Sequence, residues 1–275
     1  MFRIKKILLP VDFSDRSWLV IPMAAEFARR FGAEITFLHL APLFPERLPD
    51  AERERLTDFG ALHLADIKTH RHVLMSDRDI GRDIADYARD HGMDLIMMST
   101  HGYGPFRMFL FGSVTLKVLH DAECPVWTSA HVEELPELHD VSFRNVVCAI
   151  DRSEHSCRLL SWAADFAAVY AAKLTIVHAI PSMATTLGEF SAARWEEEMH
   201  EQISLEIAAL KDKLRIEAAI EIVRGEAGRA VAQAARETKA DLLVAGRSMR
   251  YPLAGRLTTD AYSIIRQSTC PVVSL

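Results

Sequence analysis

The chain has 275 residues, 49% of them hydrophobic and 25% charged, with a formal net charge of −6. That is enough chain for two ordinary domains, each with its own core, and the acidic balance leaves no overall basic field for nucleic acid. No stretch approaches the roughly 18 apolar residues of a membrane helix, so neither a nucleic-acid nor a membrane partner is expected.

In chain order the pattern alternates strand and helix. Residues 4–11 read as a short apolar strand, followed by a helix over 15–31 with Ser14 or Asp15 as its N-cap and Gly32 just past its end. Glu34–Leu40 is a second strand, Ala51–Thr69 a polar helix and His72–Met75 a third strand. Ile80–His91 is a helix that ends at Gly92, Leu95–Ser99 a fourth strand, Ser113–His120 a helix and Val126–Ser129 a last strand. A join over His131–Ser142 carries charges and Pro136 without apolar periodicity. The expected domains are residues 1–131 and 142–275.

The second half repeats the first. Ile7-Leu8-Leu9-Pro10-Val11-Asp12 recurs as Val146-Val147-Cys148-Ala149-Ile150-Asp151, Ala24–Ala28 as Ala163–Ala167, and His39 as His178. Asp94-Leu95-Ile96 recurs as Asp241-Leu242-Leu243, and Cys124-Pro125-Val126 as Cys270-Pro271-Val272. Because the order is kept, this is a duplication. A long helix near Phe190–Leu214 presents Ile203, Ile207, Leu210 and Leu214 as one apolar stripe, and Glu196-Glu197-Glu198 reads as its solvated face. Strands separated by helices pair in parallel through right-handed crossovers. The expected fold class is therefore α/β, with two doubly wound five-stranded parallel-sheet domains in tandem. Ligands of such sheets sit at the carboxyl ends of the strands, here after the first and fourth.

Ser99-Thr100-His101-Gly102 follows the fourth strand, then nine residues, then Gly112-Ser113 at a helix start. Free N–H groups and the positive end of the helix dipole favour an anion there, and glycine lets a phosphate approach the backbone. The ionised carboxylate of Asp12, at the end of the first strand, accepts from an amino group or a ribose hydroxyl. Leu40 supplies an apolar wall for a flat base.

These residues together resemble the universal stress protein family, over nearly the whole chain and twice. The resemblance rests on Pro10-Val11-Asp12-Phe13-Ser14, Leu38-His39-Leu40, the Ser99–Gly102 segment, the nine-residue gap to Gly112-Ser113, and Cys124-Pro125-Val126. It implies an adenine nucleotide alpha hydrolase-like fold and a stress-response role exerted through conformation, with ATP as ligand. It also implies pairing of the two halves within the chain, with a further homodimer. By resemblance, Asp12 with Pro10 and Val11 holds adenine, Leu40 flanks it, and Ser99, His101, Gly102, Gly112, Ser113 and Val114 meet the phosphates. The family has glycine where Ser99 stands, a departure that weakens or alters the phosphate contact. The second half departs further. It keeps Asp151 and Gly246 as a residual site but has Met249 for the second glycine and Thr258-Thr259 for Gly-Ser, with Arg247, Arg250 and Arg256 as alternative anion ligands.

Plainer readings stand beside these. Gly102 and Gly112 also read as turn formers, and Asp12 and Asp151 as helix caps. His39 and His178 read as packing or hydrogen-bonding residues, and His63, His70 and His72 as a solvated face more than a metal site. The apolar run Phe106–Phe111 either covers a ligand or packs against another subunit. Cys124, Cys148, Cys157 and Cys270 show no C-x-x-C or zinc spacing, and Met1–Lys6 leads into a strand without the apolar segment of a leader. A cytoplasmic protein with reduced thiols is expected. Gly102-x-Gly104 lacks a third glycine because Arg107 occupies its place, and no Walker loop, zinc helix or nucleophile elbow occurs. The functions left open are a nucleotide-binding module, a slow ATPase with Mg²⁺ bridging the phosphates, and a protein acting through protein contacts alone.

Overall fold

The computed structural model describes residues 2–42, 49–76, 79–100, 112–129, 141–182, 189–247 and 259–275. The chain divides into two compact units, Arg3–Val141 and Ser142–Ser274.

The first unit runs β1 (Lys6–Pro10), α1 (Asp15–Trp18), α2 (Ile21–Phe31), β2 (Glu34–Pro42), α3 (Pro49–Asp58), a 3-10 turn (Ala61–His63), β3 (Thr69–Ser76), α4 (Ile80–Asp90), β4 (Leu95–Ser99), α5 (Ser113–Asp121) and β5 (Val126–Ser129). Its strand order is β3-β2-β1-β4-β5, with every neighbouring pair parallel. Ile7, Leu8, Ile35, Leu95 and Ile96 are wholly buried. Such continuous apolar strands belong to a sheet covered on both faces. The order reverses between β1 and β4, which sets the switch point where the sequence places it.

The second unit repeats this with β6 (Asn145–Ala149), α6 (Ser156–Tyr170), β7 (Lys173–Ile180), α7 (Glu189–Leu214), β8 (Ala219–Arg224), α8 (Ala227–Glu237), β9 (Leu242–Ala245), α9 (Thr259–Gln267) and β10 (Val272–Ser274). The order β8-β7-β6-β9-β10 is again parallel throughout. One repeated anchor fixes β1 against β4: Asp94 Oδ2 accepts from the backbone N–H of Lys5 and Lys6 at 2.7 and 2.9 Å. Asp241 Oδ2 does the same for Arg144 and Asn145 at 2.7 and 2.9 Å. Each carboxylate takes two strand-start N–H groups that would otherwise lack a partner.

Three expectations change. The helix expected over 15–31 is two helices, α1 and α2, because Pro22 stands in the first turn of α2. Proline lacks an N–H and its ring collides with the carbonyl four residues back, so the helix restarts there. Ser14, not Asp15, caps α1, accepting from Ser17 N. The helix expected to reach Thr69 stops at Asp58, since Gly60 adopts φ 71° and turns the chain, and Thr69 already belongs to β3. Glu196 is not part of a solvated face. It is buried, and its carboxylate lies 3.4 Å from Arg224 Nη1. Ile203 and Ile207 are buried as expected, with Leu210 and Leu214 half-buried.

Candidate functional site

The carboxyl ends of β1, β2 and β4 and the first turns of α4 and α5 enclose a cavity of about 430 Å³. Pro10, Val11, Asp12, Leu40, Ser99, Gly112, Ser113 and Val114 all line it. His101, Gly102 and the run Phe106–Phe111 lie outside the described residues. Ser17, Leu38, His39, Ile80, Ile84, Met98 and Thr115 line the cavity too, unassigned to it by the sequence. Their placement follows from spacing. Ile80 and Ile84 share one face of α4 at i and i+4, Thr115 is one turn beyond Gly112, and Ser17 faces back across α1 toward Asp12.

Asp12 is held by the start of α1. Its Oδ1 accepts from Ser14 N at 3.0 Å and from Ser14 Oγ and Ser17 Oγ, both at 2.6 Å. Ser17 Oγ also accepts from Asp12 N at 3.3 Å. One carboxylate oxygen is thereby committed to orientation, and the reading of Asp12 as a simple cap is replaced by this cluster around the Ser14 cap. The next residue, Phe13, adopts φ 59° although it carries a bulky side chain. Such backbone costs about 1–3 kcal/mol and persists only when its surroundings hold it. Here the Phe13 ring packs on His39 and Phe59, with centroids 4.4 and 5.7 Å away, and the Arg55 guanidinium lies 4.3 Å over its face.

His39 binds the two strand ends together. Val11 N donates to Leu38 O at 2.9 Å, and His39 Nδ1 donates to Val11 O at 2.8 Å. A carbonyl only accepts, so the proton is on Nδ1. Nε2 lies 3.6 Å from Glu52 Oε2 on α3.

At the other end, α5 starts at Ser113 with no side-chain cap on its first turn. Gly112 adopts φ −59° and ψ 142°, open to any residue, and among the described residues a Cβ there meets nothing nearer than Thr115 Oγ1 at 3.8 Å and Thr100 O at 4.0 Å. Neither backbone strain nor packing against the described residues therefore requires glycine at this position. Gly112 N donates to Thr100 O at 3.2 Å, so the amides left to face the cavity mouth begin with Ser113 and Val114. Thr115 Oγ1 donates to Ser99 O at 3.3 Å, tying α5 to the end of β4. Gly81 has the opposite role to Gly112: a Cβ there would sit 2.5 Å from Lys117 Cβ, so its absence lets α4 and α5 approach.

The sequence model of the universal stress protein family matches residues 3–129 and again 142–274. The chain belongs to the universal stress protein family. It is a tandem member, one copy of the family domain following the other. Among its relatives, a universal stress protein of Methanocaldococcus jannaschii is 30% identical over 135 residues, 44% of this chain and 79% of that one. A solved universal stress protein from Archaeoglobus fulgidus superposes with a TM-score of 0.70 at 23% identity, over 99% of this chain and 98% of that one. A functionally unknown protein from Pseudomonas aeruginosa gives a TM-score of 0.75 at 16% identity, over 99% and 92%. These two likenesses speak to the fold.

The second unit has a cavity at the equivalent place, of about 500 Å³. Asp151 and Gly246 both line it, with Arg152, Ser153, His155, His178 and Glu226. Arg152 repeats the left-handed backbone of Phe13 with φ 61°. His178 Nδ1 donates to Ile150 O at 2.7 Å, as His39 does to Val11. Burial lowers the His178 pKa from its ordinary value, partly opposed by that hydrogen bond, and so favours the neutral ring. Met249, Arg250, Arg256 and Thr258 lie outside the described residues.

Among the described residues no group of three or more His, Cys, Asp or Glu side chains is arranged to hold a metal. His70 instead faces Glu34 at 3.4 Å, and His72 packs edge-on to Tyr87, which stacks on His91. No helix among the described residues is long and apolar enough to cross a membrane.

Proposed function

We propose that the first unit binds an adenine nucleotide, ATP or a close relative, and that the chain acts as a regulatory binding module of the stress response. The observation that carries this reading is the room left at Gly112. Among the described residues neither the backbone nor packing calls for glycine there, and Gly112 lines a cavity that also holds Asp12. A base fits the apolar end, between Leu40, Ile80, Ile84 and Met98. Ile80 is 39% exposed on that wall, an apolar surface that a base would cover. Asp12, oriented by Ser14 and Ser17, then accepts from an amino group or a ribose hydroxyl. The phosphates lie toward Ser99, Gly112, Ser113 and Val114, at the positive end of α5. Hydrogen bonds to a charged phosphate contribute about 1.5–3 kcal/mol each, and three or four of them, less the association cost, support roughly micromolar affinity.

The reading is of binding more than hydrolysis. Among the described lining residues Asp12 is the only carboxylate, it lies at the base end, and one of its oxygens already takes three donors. Mg²⁺ in this reading is carried by the phosphates. The test is to denature the purified protein and identify any released nucleotide by mass spectrometry. The reading expects an adenine nucleotide from the native sequence and none from Gly112→Arg. A native protein that releases none and takes up no added ATP removes it.

A further inference from the structure

We propose that the second unit carries a self-complementary docking groove for a second copy of this chain, formed by α6 and the turn between α7 and β8. The groove lies at the amino ends of the strands, so the proposal does not depend on either unit binding a nucleotide.

The repeat shows how the groove arises. In the first unit this place is closed from within. Arg29 on α2 crosses to the turn before β3, where its Nη2 donates to Asp66 Oδ1 at 2.7 Å and to His63 O at 3.1 Å. In the second unit Ala168 stands where Arg29 stands, one residue beyond the repeated Ala163–Ala167. The strand registers, Thr36 with His70 and Thr175 with Ala219, put Arg215 at the place of Asp66 and Glu217 at that of Lys68. The crossing side chain is gone, and a groove of about 910 Å³ runs between α6 and residues 214–219. From Ser161 to Ala172 its α6 wall is about 16 Å long.

The charges on its walls point to the occupant. Asp165, Lys173, Arg215 and Glu217 line the groove, and none of them makes an ion pair among the described residues. Their counterparts in the first unit are all paired: Glu26 with Arg30 at 3.4 Å, Glu34 with Lys68 at 2.7 Å, and Asp66 with Arg29 at 2.7 Å. Arg30 is replaced by Val169, which is 38% exposed. Two unpaired charges of each sign oppose a partner that is uniformly acidic or uniformly basic, and they match a copy of themselves. In a two-fold arrangement the α6 ridge of each copy enters the groove of the other. Asp165 of one copy then faces Arg215 of the other, and the same contact recurs across the axis. The small side chains of Ala164 and Ala168 let the two helices approach closely, and Val169 is covered. Exposed ion pairs add little affinity, so the four charges set the register and the dimer is weak.

The test is sedimentation equilibrium on the full chain and on variants at this groove. The native chain is expected to dimerise with a Kd on the order of 10–100 µM. Ala168→Arg, which restores the side chain of the first unit, fills the groove and should weaken the dimer about tenfold or more. Asp165→Arg and Arg215→Asp each bring like charges together twice per dimer and should weaken it to the same extent, about tenfold or more. Mixed one to one, these two variants regain opposite charges at both contacts, as does the double variant, and both should return to within about threefold of the native affinity. Asp165, Ala168 and Arg215 are exposed, and thermal melting checks that each variant is folded. Recovery on mixing also separates lost docking from lost folding, since misfolded chains do not restore each other. The proposal is overturned if the native chain stays monomeric at millimolar concentration, or if Ala168→Arg or the single reversals leave a dimer unchanged. It is equally overturned if the mixture and the double variant fail to recover what the single reversals lose.

Discussion

Nδ1 of His39 lies 2.8 Å from the carbonyl oxygen of Val11. The bond locks the end of β2 to the end of β1, one residue before Asp12, and the second unit repeats it between His178 and Ile150. His39→Leu leaves that carbonyl without its partner and is expected to lower unfolding stability by about 1–3 kcal/mol. Urea denaturation measures this. His39→Asn, which keeps a donor near the Nδ1 position, should recover part of the loss, and equal losses for both variants would show that the bond is not the cause.

Ser17→Ala removes a hydroxyl that donates to Asp12 at 2.6 Å. The expected effect is on ligand affinity more than on stability. ATP binding should weaken several-fold as the carboxylate loses its orientation, while the melting temperature moves little. Ser14→Ala removes a second such donor together with the α1 cap, and should lower stability by about 1 kcal/mol as well. Calorimetry and thermal melting on the pair separate the two roles.

The two glycines near α5 should respond in opposite ways. Gly112→Ala places a methyl no closer than 3.8 Å to any described residue, at φ −59°, and should leave stability within about 0.5 kcal/mol. Gly81→Ala drives a methyl to 2.5 Å from Lys117 Cβ and should destabilise by about 1–3 kcal/mol, because α4 and α5 must separate. Chemical denaturation of both variants checks the contrast.

His178 makes stability depend on pH. Its pKa is lowered in the folded chain, first by burial, so the folded state binds its proton less readily than the unfolded chain does. The contribution is fully present above the unfolded value of about 6.5 and is lost as pH falls through the lower folded value. Between pH 7 and 5 the native chain should therefore lose more stability than His178→Asn. Parallel pH dependences of the two denaturation midpoints would show that His178 is not the source.

The architecture was legible because its signals are local and doubled. Each strand run is flanked by a helix pattern, and each landmark, such as Asp94 with Asp241, occurs twice at one offset. The errors fell where one residue interrupts a pattern that otherwise continues, at Pro22 and Gly60. Glu196 was misread because its sequence neighbours are acidic and exposed, while its partner, Arg224, lies on a different element. In the site, sequence motifs supplied the strand-end and helix-start residues. They did not supply Ile80, Ile84 or Met98, whose place in the cavity follows from packing between elements far apart in the chain. Nor could they show that Gly112 N already donates to Thr100 O.

The central claim is that the open side of Gly112 receives phosphate. Its most direct measurement is calorimetric titration of ATP into the native chain and into Gly112→Arg, side by side. The native chain should bind with roughly micromolar affinity, and the variant, folded and equally stable, should lose that binding by a factor of about a hundred or more. Equal affinity in the two proteins would place the nucleotide elsewhere and contradict the account.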